Sequence, residues 1–498
     1  MLNSIKKILL QKRPINILFG ILFISILVAS CNREATIDRV LSKETKNKIY
    51  KDIEEPRLAE SIKNSIESED FKNKAVLNSY YQKNGYQASL IIKFMPDGKL
   101  AILADHLSAA AEHGLDENHF AAKEYRAQYD LVHSKDGVQS LDEAYQQVAA
   151  LELATAKALL DYSSTLQFGV VNPNKILSRY YMETKQADSN FMMDILRSQD
   201  LATLLDSVQP KSANYMLLQE ALKAGGDQDR SKTIRVNLER ARWQHDIDSS
   251  KLIYVNIPAF RLDIYKDGKV AGSMKTVVGT GRNNGDNASF SDQKIKDAPH
   301  SHETPILSSM IHSVQVNPVW NIPESIAGKE ILKHVQADRF YLSNAGIDVI
   351  QDGQVIEDPE NLDWSSYSAG NLPFRFRQRP GDENALGKIK FLFKNNSSVY
   401  LHDTPAQAAF DRDVRASSHG CVRVKEPLEL AKALFGAGDK FETIKGDMES
   451  DEQKSARNIE LSPQIQVVLD YVTAENRDGK LVIHPDVYGL DHVIYPYL

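Results

Sequence analysis

Apolar positions recur every three to four residues through much of the first half of the chain. Leu100, Leu103, Leu107 and Ala110 or Ala111 keep that spacing, and Gly114 follows where a helix would end. Ala144, Val148, Leu151, Thr155, Ala158 and Tyr162 form a second stripe. Turn formers such as Val171-Asn172-Pro173-Asn174 separate the segments. The spacing predicts helices over residues 57–240. Near residue 251 the period shortens. Asp-Gly pairs at Asp267-Gly268, Asp352-Gly353 and Asp478-Gly479 interrupt runs rich in β-branched and aromatic residues. Such pairs tolerate the positive φ of tight hairpins, so a mostly antiparallel β region is expected over 245–498. Short helical patterns follow Pro323 and Pro427 and interrupt that region.

The N-terminus has a different pattern. Residues 1–14 carry Lys6, Lys7, Lys12 and Arg13 and no acid, and residues 15–30 are almost wholly apolar. A basic stretch before a short apolar run predicts an export signal over 1–30. At about 16 residues the run is short for a membrane span of ~20. Leu27, Val28, Ala29 and Ser30 precede Cys31. This resembles the lipobox of bacterial lipoproteins, which implies lipidation at Cys31 and a membrane contact through the lipid anchor. The protein is then expected to be exported and to face the periplasm or cell wall. An uncleaved anchor helix with an incidental cysteine is the alternative. The charged stretch 31–56 reads as a tether.

Composition narrows the function classes. The chain has 498 residues, with 60 Lys plus Arg against 67 Asp plus Glu, for a net charge of −7. Such a mild acidic balance predicts no nucleic-acid partner. Hydrophobic residues at 42% and charged residues at 26% allow sizeable cores. The two cysteines, Cys31 and Cys421, exclude a disulfide scaffold and any zinc site built from three or four thiolates. Lipidation of Cys31 would leave Cys421 as one free thiol with no partner in the chain.

Two histidine groups have spacings that raise the question of a metal site. His106, His113 and His119 read as surface or packing residues. His300, His302 and Glu303, with His312, fall in or near the polar stretch 280–304, which reads as a mobile solvated loop. No metal is expected at either group.

The densest chemistry lies in residues 399–424. A lone cysteine near histidines is a candidate nucleophile, because an imidazole can take the thiol proton. His419 precedes Cys421 by two residues, and in an extended segment His419, Cys421 and Arg423 share a face. His402 ends the apolar run Val399-Tyr400-Leu401, 19 residues upstream, and reaches Cys421 only if the chain turns back. Spacing alone leaves both histidines open as the base. Gly420 permits close backbone approach, and the amides around Cys421 are oxyanion candidates. Arg423 can hold a carboxylate or orient a peptide carbonyl.

The run His402…Ser418-His419-Gly420-Cys421-Val422-Arg423 resembles the signature of L,D-transpeptidases with a YkuD-type catalytic domain. The fuller resemblance is to the large YcbB-like subgroup. It rests on IRVNLERARW (234–243), YVNIPAFRLDIY (254–265), NPVWNIP (317–323), RQRPGDENALGKIKFLF (377–393), YLHDTP (400–405) and SHGCVRV (418–424). Upstream, YYQKNGYQ (80–87), AAAEHGLD (109–116) and residues 151–175 resemble that subgroup's helical scaffold. The resemblance implies an α+β protein: a helical N-terminal scaffold domain, then a mostly antiparallel β catalytic domain with a helical capping insertion at 320–372. It implies Cys421 as nucleophile and His402 as base. His419, Gly420, Arg423, Ser418, Tyr400 and Trp320 become the candidate substrate-binding and oxyanion residues. One departure stands out. Many members insert a peptidoglycan-binding module between scaffold and catalytic domains, whereas residues 220–243 here run directly on.

The implied chemistry uses peptidoglycan tetrapeptide stems as donor and acceptor and needs no cofactor. Cys421 attacks the carbonyl before the terminal D-Ala, and a thioester forms. The side-chain amine of a second stem then completes a 3→3 cross-link. L,D-carboxypeptidase or exchange activity would use the same residues. A non-catalytic wall-binding lipoprotein, or a thiolate–imidazole metal site, are the remaining alternatives.

Overall fold

The computed structural model describes residues 35–281, 290–299, 302–450 and 455–498. The export signal and Cys31 lie outside the described residues, as does His300. Two compact units are present. The first takes the residues up to Ile102 together with Glu124–Lys157, and the second takes Leu103–Lys123 with Ala158–Leu498.

The first unit is helical. Its first described helix is Ile37–Thr45, where Ile37, Val40 and Leu41 are buried on one face. The tether expected over 31–56 is therefore folded from this helix onward. Charged residues between the apolar positions disguised a three-to-four spacing over barely two turns. Tyr50 is fully buried and donates to the Val132 carbonyl at 2.8 Å, which ties the segment down. Helix Leu141–Phe168 carries the second predicted stripe, and its six positions are all buried. Its Glu152 carboxylate is buried and accepts from Tyr81 Oη and from the Leu90 and Ile91 amides at 2.9–3.0 Å. Burial nevertheless raises this carboxyl to about 7.

The second unit combines helices with a β-barrel. Its strands are β1 Tyr180–Tyr181, β2 Lys251–Asn256, β3 Arg261–Lys266, β4 Lys269–Gly279, β5 Ile306–Val316, β6 Trp320–Ile322, β7 Ile347–Gln351, β8 Gln354–Val355, β9 Arg375–Gln378, β10 Ile389–Phe393, β11 Leu401–His402, β12 Ala416–Ser418, β13 Val422–Val424, β14 Arg457–Asp470, β15 Ala474–Arg477 and β16 Lys480–Ile483. The main sheet runs β1-β5-β10-β11-β13-β4-β3-β2-β14, and β14 pairs back onto β5. That last pairing closes the ring and leaves its members no open edge. Most neighbours are antiparallel, as expected; β11–β13, β14–β2, β12–β4 and β1–β5 are parallel. The three Asp-Gly pairs form the β3–β4, β7–β8 and β15–β16 turns, with both residues of each at positive φ.

The helices Ala213–Lys223 and Gln228–Arg240 pack on this unit's C-terminal part. Asn237 Nδ2 donates to Thr473 Oγ1 at 2.7 Å, and Arg240 pairs with Asp491 at 2.5 Å. The division between compact units consequently falls inside the helical half, not at its end.

Residues from Trp320 to Gln378 form a subdomain with its own sheet, β6-β9-β7-β8. Its core gathers Ile322, Ile331, Leu342, Val349, Trp364 and Phe376. The insertion expected over 320–372 is thus mixed helix and sheet, and it closes at β9. Sequence pattern marked the helix after Pro323 but not the short strands, which are only two to five residues long.

Candidate active site

The parallel pairing of β11 with β13 builds the site. A parallel neighbour requires a long crossover, and residues 403–421 supply it. Register then sets Lys390 beside His402 and His402 beside Arg423. Paired residues on neighbouring strands point to one face, so these three form a row. Val422 N donates to the Tyr400 carbonyl at 3.1 Å, which holds Cys421 against Tyr400 at the end of the row. The chain does turn back, and it brings His402 to Cys421.

Cys421, His402, Tyr400, Arg423, Ser418, His419 and Trp320 all line one cavity of about 400 Å³, a size that suits part of a peptide. Gly420 is buried beneath it with φ at 114°, a conformation that favours glycine.

Electrostatics in the row favour neutral partners at rest. His402 Nδ1 donates to the Asp403 carbonyl at 2.5 Å, leaving Nε2 as the acceptor nitrogen. Burial, with the Arg423 and Lys390 charges, lowers this imidazole to about 3. Burial also pushes the Cys421 thiol up, while Tyr400, Lys390 and Arg423 pull the other way. A neutral thiol beside a neutral imidazole is the consequence. Alkylation of Cys421 by iodoacetamide, followed by peptide mapping across pH, should therefore rise with a midpoint above the ~8.5 of a free thiol. Full reactivity already at pH 6 would contradict it.

The loop before Cys421 is held from below. Ser418 Oγ donates to the Cys421 carbonyl at 2.6 Å and accepts from the Gly420 amide at 3.1 Å. Ser418 is therefore committed to the turn, and the Gly420 amide is engaged. Thr304 Oγ1 donates to the Gly420 carbonyl at 2.8 Å and accepts from Gly279 N at 2.9 Å. Tyr488 Oη donates to the Gly279 carbonyl at 2.8 Å and accepts from Thr304 N at 3.0 Å. Arg423 Nε is buried and has no hydrogen-bond partner, so it is a donor available to a bound group.

The rim is formed by parts the sequence did not connect. His419 Nε2 lies 2.5 Å from Glu330 Oε1 on the capping subdomain. His302 reaches the cavity too, its ring 4.7 Å from that of His419. Within the 280–304 stretch, the described residues 290–299 and 302–304 are thus not simply a solvated loop. Asp297 is buried and accepts from Ser178 N at 2.7 Å, and Phe290 stacks on His492 at 4.4 Å. Lys390, His302, Glu330 and Thr304 were missed as site residues. Lys390 left a signal as a single cation inside the apolar run of β10, and His302 as one of a histidine group.

His106 and His113 are packed against tyrosines. His106 Nδ1 lies 3.2 Å from Tyr162 Oη, and His113 Nδ1 lies 3.0 Å from Tyr215 Oη. Among the described residues, no group of three or more His, Cys, Asp or Glu is arranged to hold a metal ion.

Comparison with known proteins gives two family matches. Residues 250–438 match the YkuD model, described as an L,D-transpeptidase catalytic domain, and residues 75–222 match a Scaffold domain. A protein of Haemophilus influenzae, provisionally named an L,D-transpeptidase, is 28% identical over 328 residues, covering 64% of this chain. The match spans 62% of that relative's length.

Proposed function

From a chain that carries an L,D-transpeptidase catalytic domain together with a Scaffold domain, we propose a peptidoglycan L,D-transpeptidase that forms 3→3 cross-links through a thioester on Cys421. The observation that carries this reading is the cavity shared by Cys421 and a neutral His402 whose Nδ1 is fixed by a backbone carbonyl. That tautomer leaves Nε2 to take the thiol proton as substrate arrives.

The donor is a tetrapeptide stem. The Cys421 sulfur attacks the carbonyl of the third residue, and the Cys421 amide and Arg423 Nε donate to the oxyanion in this scheme. The bond to D-Ala breaks, and the proton held by His402 passes to the departing amine. An acceptor stem's side-chain amine attacks the thioester, forms the new amide and releases the thiol. Trp320 and the capping subdomain help exclude water, which otherwise competes as acceptor.

Export and lipidation at Cys31 belong to the same proposal. Their support is the basic stretch, the short apolar run and the small residues before Cys31. The site would then face the compartment that holds peptidoglycan.

Mass spectrometry of muropeptides after incubation with a tetrapeptide-stem disaccharide tests the reading. Dimers with loss of D-Ala are expected. Tripeptide monomers alone would replace transpeptidation with hydrolysis, and unchanged substrate would overturn the enzyme assignment.

The loop contacts give a further expectation. A Cβ on Gly279 would meet the His302 carbonyl at 1.9 Å and Thr304 N at 2.7 Å, so Gly279→Ala must displace the support of Gly420. D-Ala release should fall at least about tenfold, since misplacement of about 1 Å can cost ~10²-fold. Wild-type kinetics in this variant would show that the support is dispensable.

A further inference from the structure

The cavity presents two imidazoles in opposite electrostatic settings. His402 stands among cations, with Arg423 beside it and Lys390 on the adjoining strand. It is only 4% exposed. The described residues lining the cavity include Lys329 and Arg423 but no carboxylate. Such a wall suits the anionic and carbonyl groups of a donor stem. It does not suit an acceptor amine, which is an ammonium ion at neutral pH. That group must approach, lose a proton, and only then attack.

His419 offers the setting that His402 lacks. Its side chain is 34% exposed, and Nε2 lies 2.5 Å from Glu330 Oε1. Donation from Nε2 to that carboxylate leaves Nδ1 with the lone pair. Glu330 lies in the π-helical turn Ala327–Ile331 of the capping subdomain, one residue from Lys329 on the cavity wall. The carboxylate thus meets the rim through His419, two residues from the nucleophile.

We propose that His419 and Glu330 form the acceptor side of the active site, with His419 taking the proton from the incoming ammonium and Glu330 positioning that imidazole. This rests on the transpeptidase reading above and deepens it by dividing the two half-reactions between two histidines. His402 serves the thiol and the departing D-Ala. His419 serves the acceptor.

The atoms balance. The acceptor ammonium gives one proton to His419, which later releases it to solvent. The neutral amine attacks the thioester carbonyl, the C–N bond forms and the C–S bond breaks. The nitrogen's second proton returns to the sulfur through His402. The products are an amide, the free Cys421 thiol and one proton. Glu330 is a positioning residue in this scheme, because it acts through His419.

The test compares two nucleophiles on the full-length protein acylated by a tetrapeptide stem. One is a stem with a cationic side-chain amine, and the other is hydroxylamine, which is uncharged at neutral pH. Glu330→Gln should slow transfer to the stem amine by about tenfold and His419→Gln by on the order of 10²-fold, the range of general acid–base catalysis. In Glu330→Gln, whose carboxylate does not line the cavity, loss of D-Ala in the first half-reaction should change by less than about threefold. Transfer to hydroxylamine should be largely restored, because that nucleophile needs neither deprotonation nor a carboxylate to attract it. Equal slowing with both nucleophiles would overturn the proposal and mark the pair as a structural latch. Full transfer to the stem amine in Glu330→Gln would overturn it as well. Glu330 is 45% exposed, so its variant keeps the test valid if His419→Gln fails to fold. Failure of the wild-type protein to acylate at all would strike the transpeptidase reading instead, so the two failures are distinct.

Discussion

Replacing Cys421 with alanine is expected to remove D-Ala release and cross-linking together, by at least about 10⁴-fold, and His402→Ala should slow acylation by ~10²–10⁴-fold. The reason lies in the row set by β10, β11 and β13. The thiol is half-buried and kept neutral at rest, so it attacks well only when a neighbour removes its proton. His402 is the imidazole placed for this, with Nδ1 occupied by the Asp403 carbonyl and Nε2 available. Its depression to about 3 means that acid does not switch it off above about pH 4. Acylation should hence show no loss from His402 protonation between pH 7 and pH 5. The two variants are not additive, since they act on one proton transfer, and the double variant should resemble Cys421→Ala alone. Quantifying D-Ala against time checks all three. Residual release in Cys421→Ala within tenfold of wild type would place the chemistry elsewhere.

Glu239→Ala is expected to lower the stability of the barrel-containing unit by about 3–5 kcal/mol, the cost of leaving a buried charge unpaired. Glu239 and Arg242 are both fully buried and pair at 2.7 Å. The carboxylate also accepts from Trp243 Nε1 at 3.0 Å and from the Val170 and Val171 amides at 2.8 and 3.0 Å. Removing it strands these donors as well as Arg242. The protein's three tryptophans, Trp243, Trp320 and Trp364, all lie in this unit, so their fluorescence in urea reads its unfolding. A large fall in the midpoint is expected. Glu239→Leu combined with Arg242→Met should cost less, because no charge is left alone. A shift below about 1 kcal/mol for Glu239→Ala would show that water reaches the site.

The parts of this structure that were legible in the sequence are those governed by local chemistry. The stripe Ala144 to Tyr162 declared its helix through spacing, and the Asp-Gly pairs declared their turns through φ. Cys421 and the two histidines stood out because their types are rare and reactive. The meeting of His402 and Cys421 in one cavity was not local. It required the parallel pairing of β11 and β13, which spacing cannot show, and the sequence reached it only through family resemblance. Glu330 and His302 come to the rim from 91 and 119 residues before Cys421, through the capping subdomain and the 280–304 segment. Nothing near Glu330 marks it, and His302 stood out only as part of a histidine group read as a solvated loop. The tether reading failed for a related reason. Ile37, Val40 and Leu41 make a short apolar face, and charge density hid it. Inside IRVNLERARW, the polar residues Asn237, Glu239, Arg240 and Arg242 are buried because, besides the Glu239–Arg242 pair within the motif, each finds partners far along the chain that no local window contains.

The central claim is a covalent intermediate on Cys421. Intact-mass spectrometry of the protein, quenched in acid during turnover with a tetrapeptide-stem muropeptide and then mapped by proteolysis, tests it most directly. The expected result is an adduct equal to the muropeptide less D-Ala, confined to the peptide that contains Cys421 and absent from Cys421→Ala. Release of D-Ala at the wild-type rate with no adduct on that peptide, or with the adduct on another residue, would contradict it.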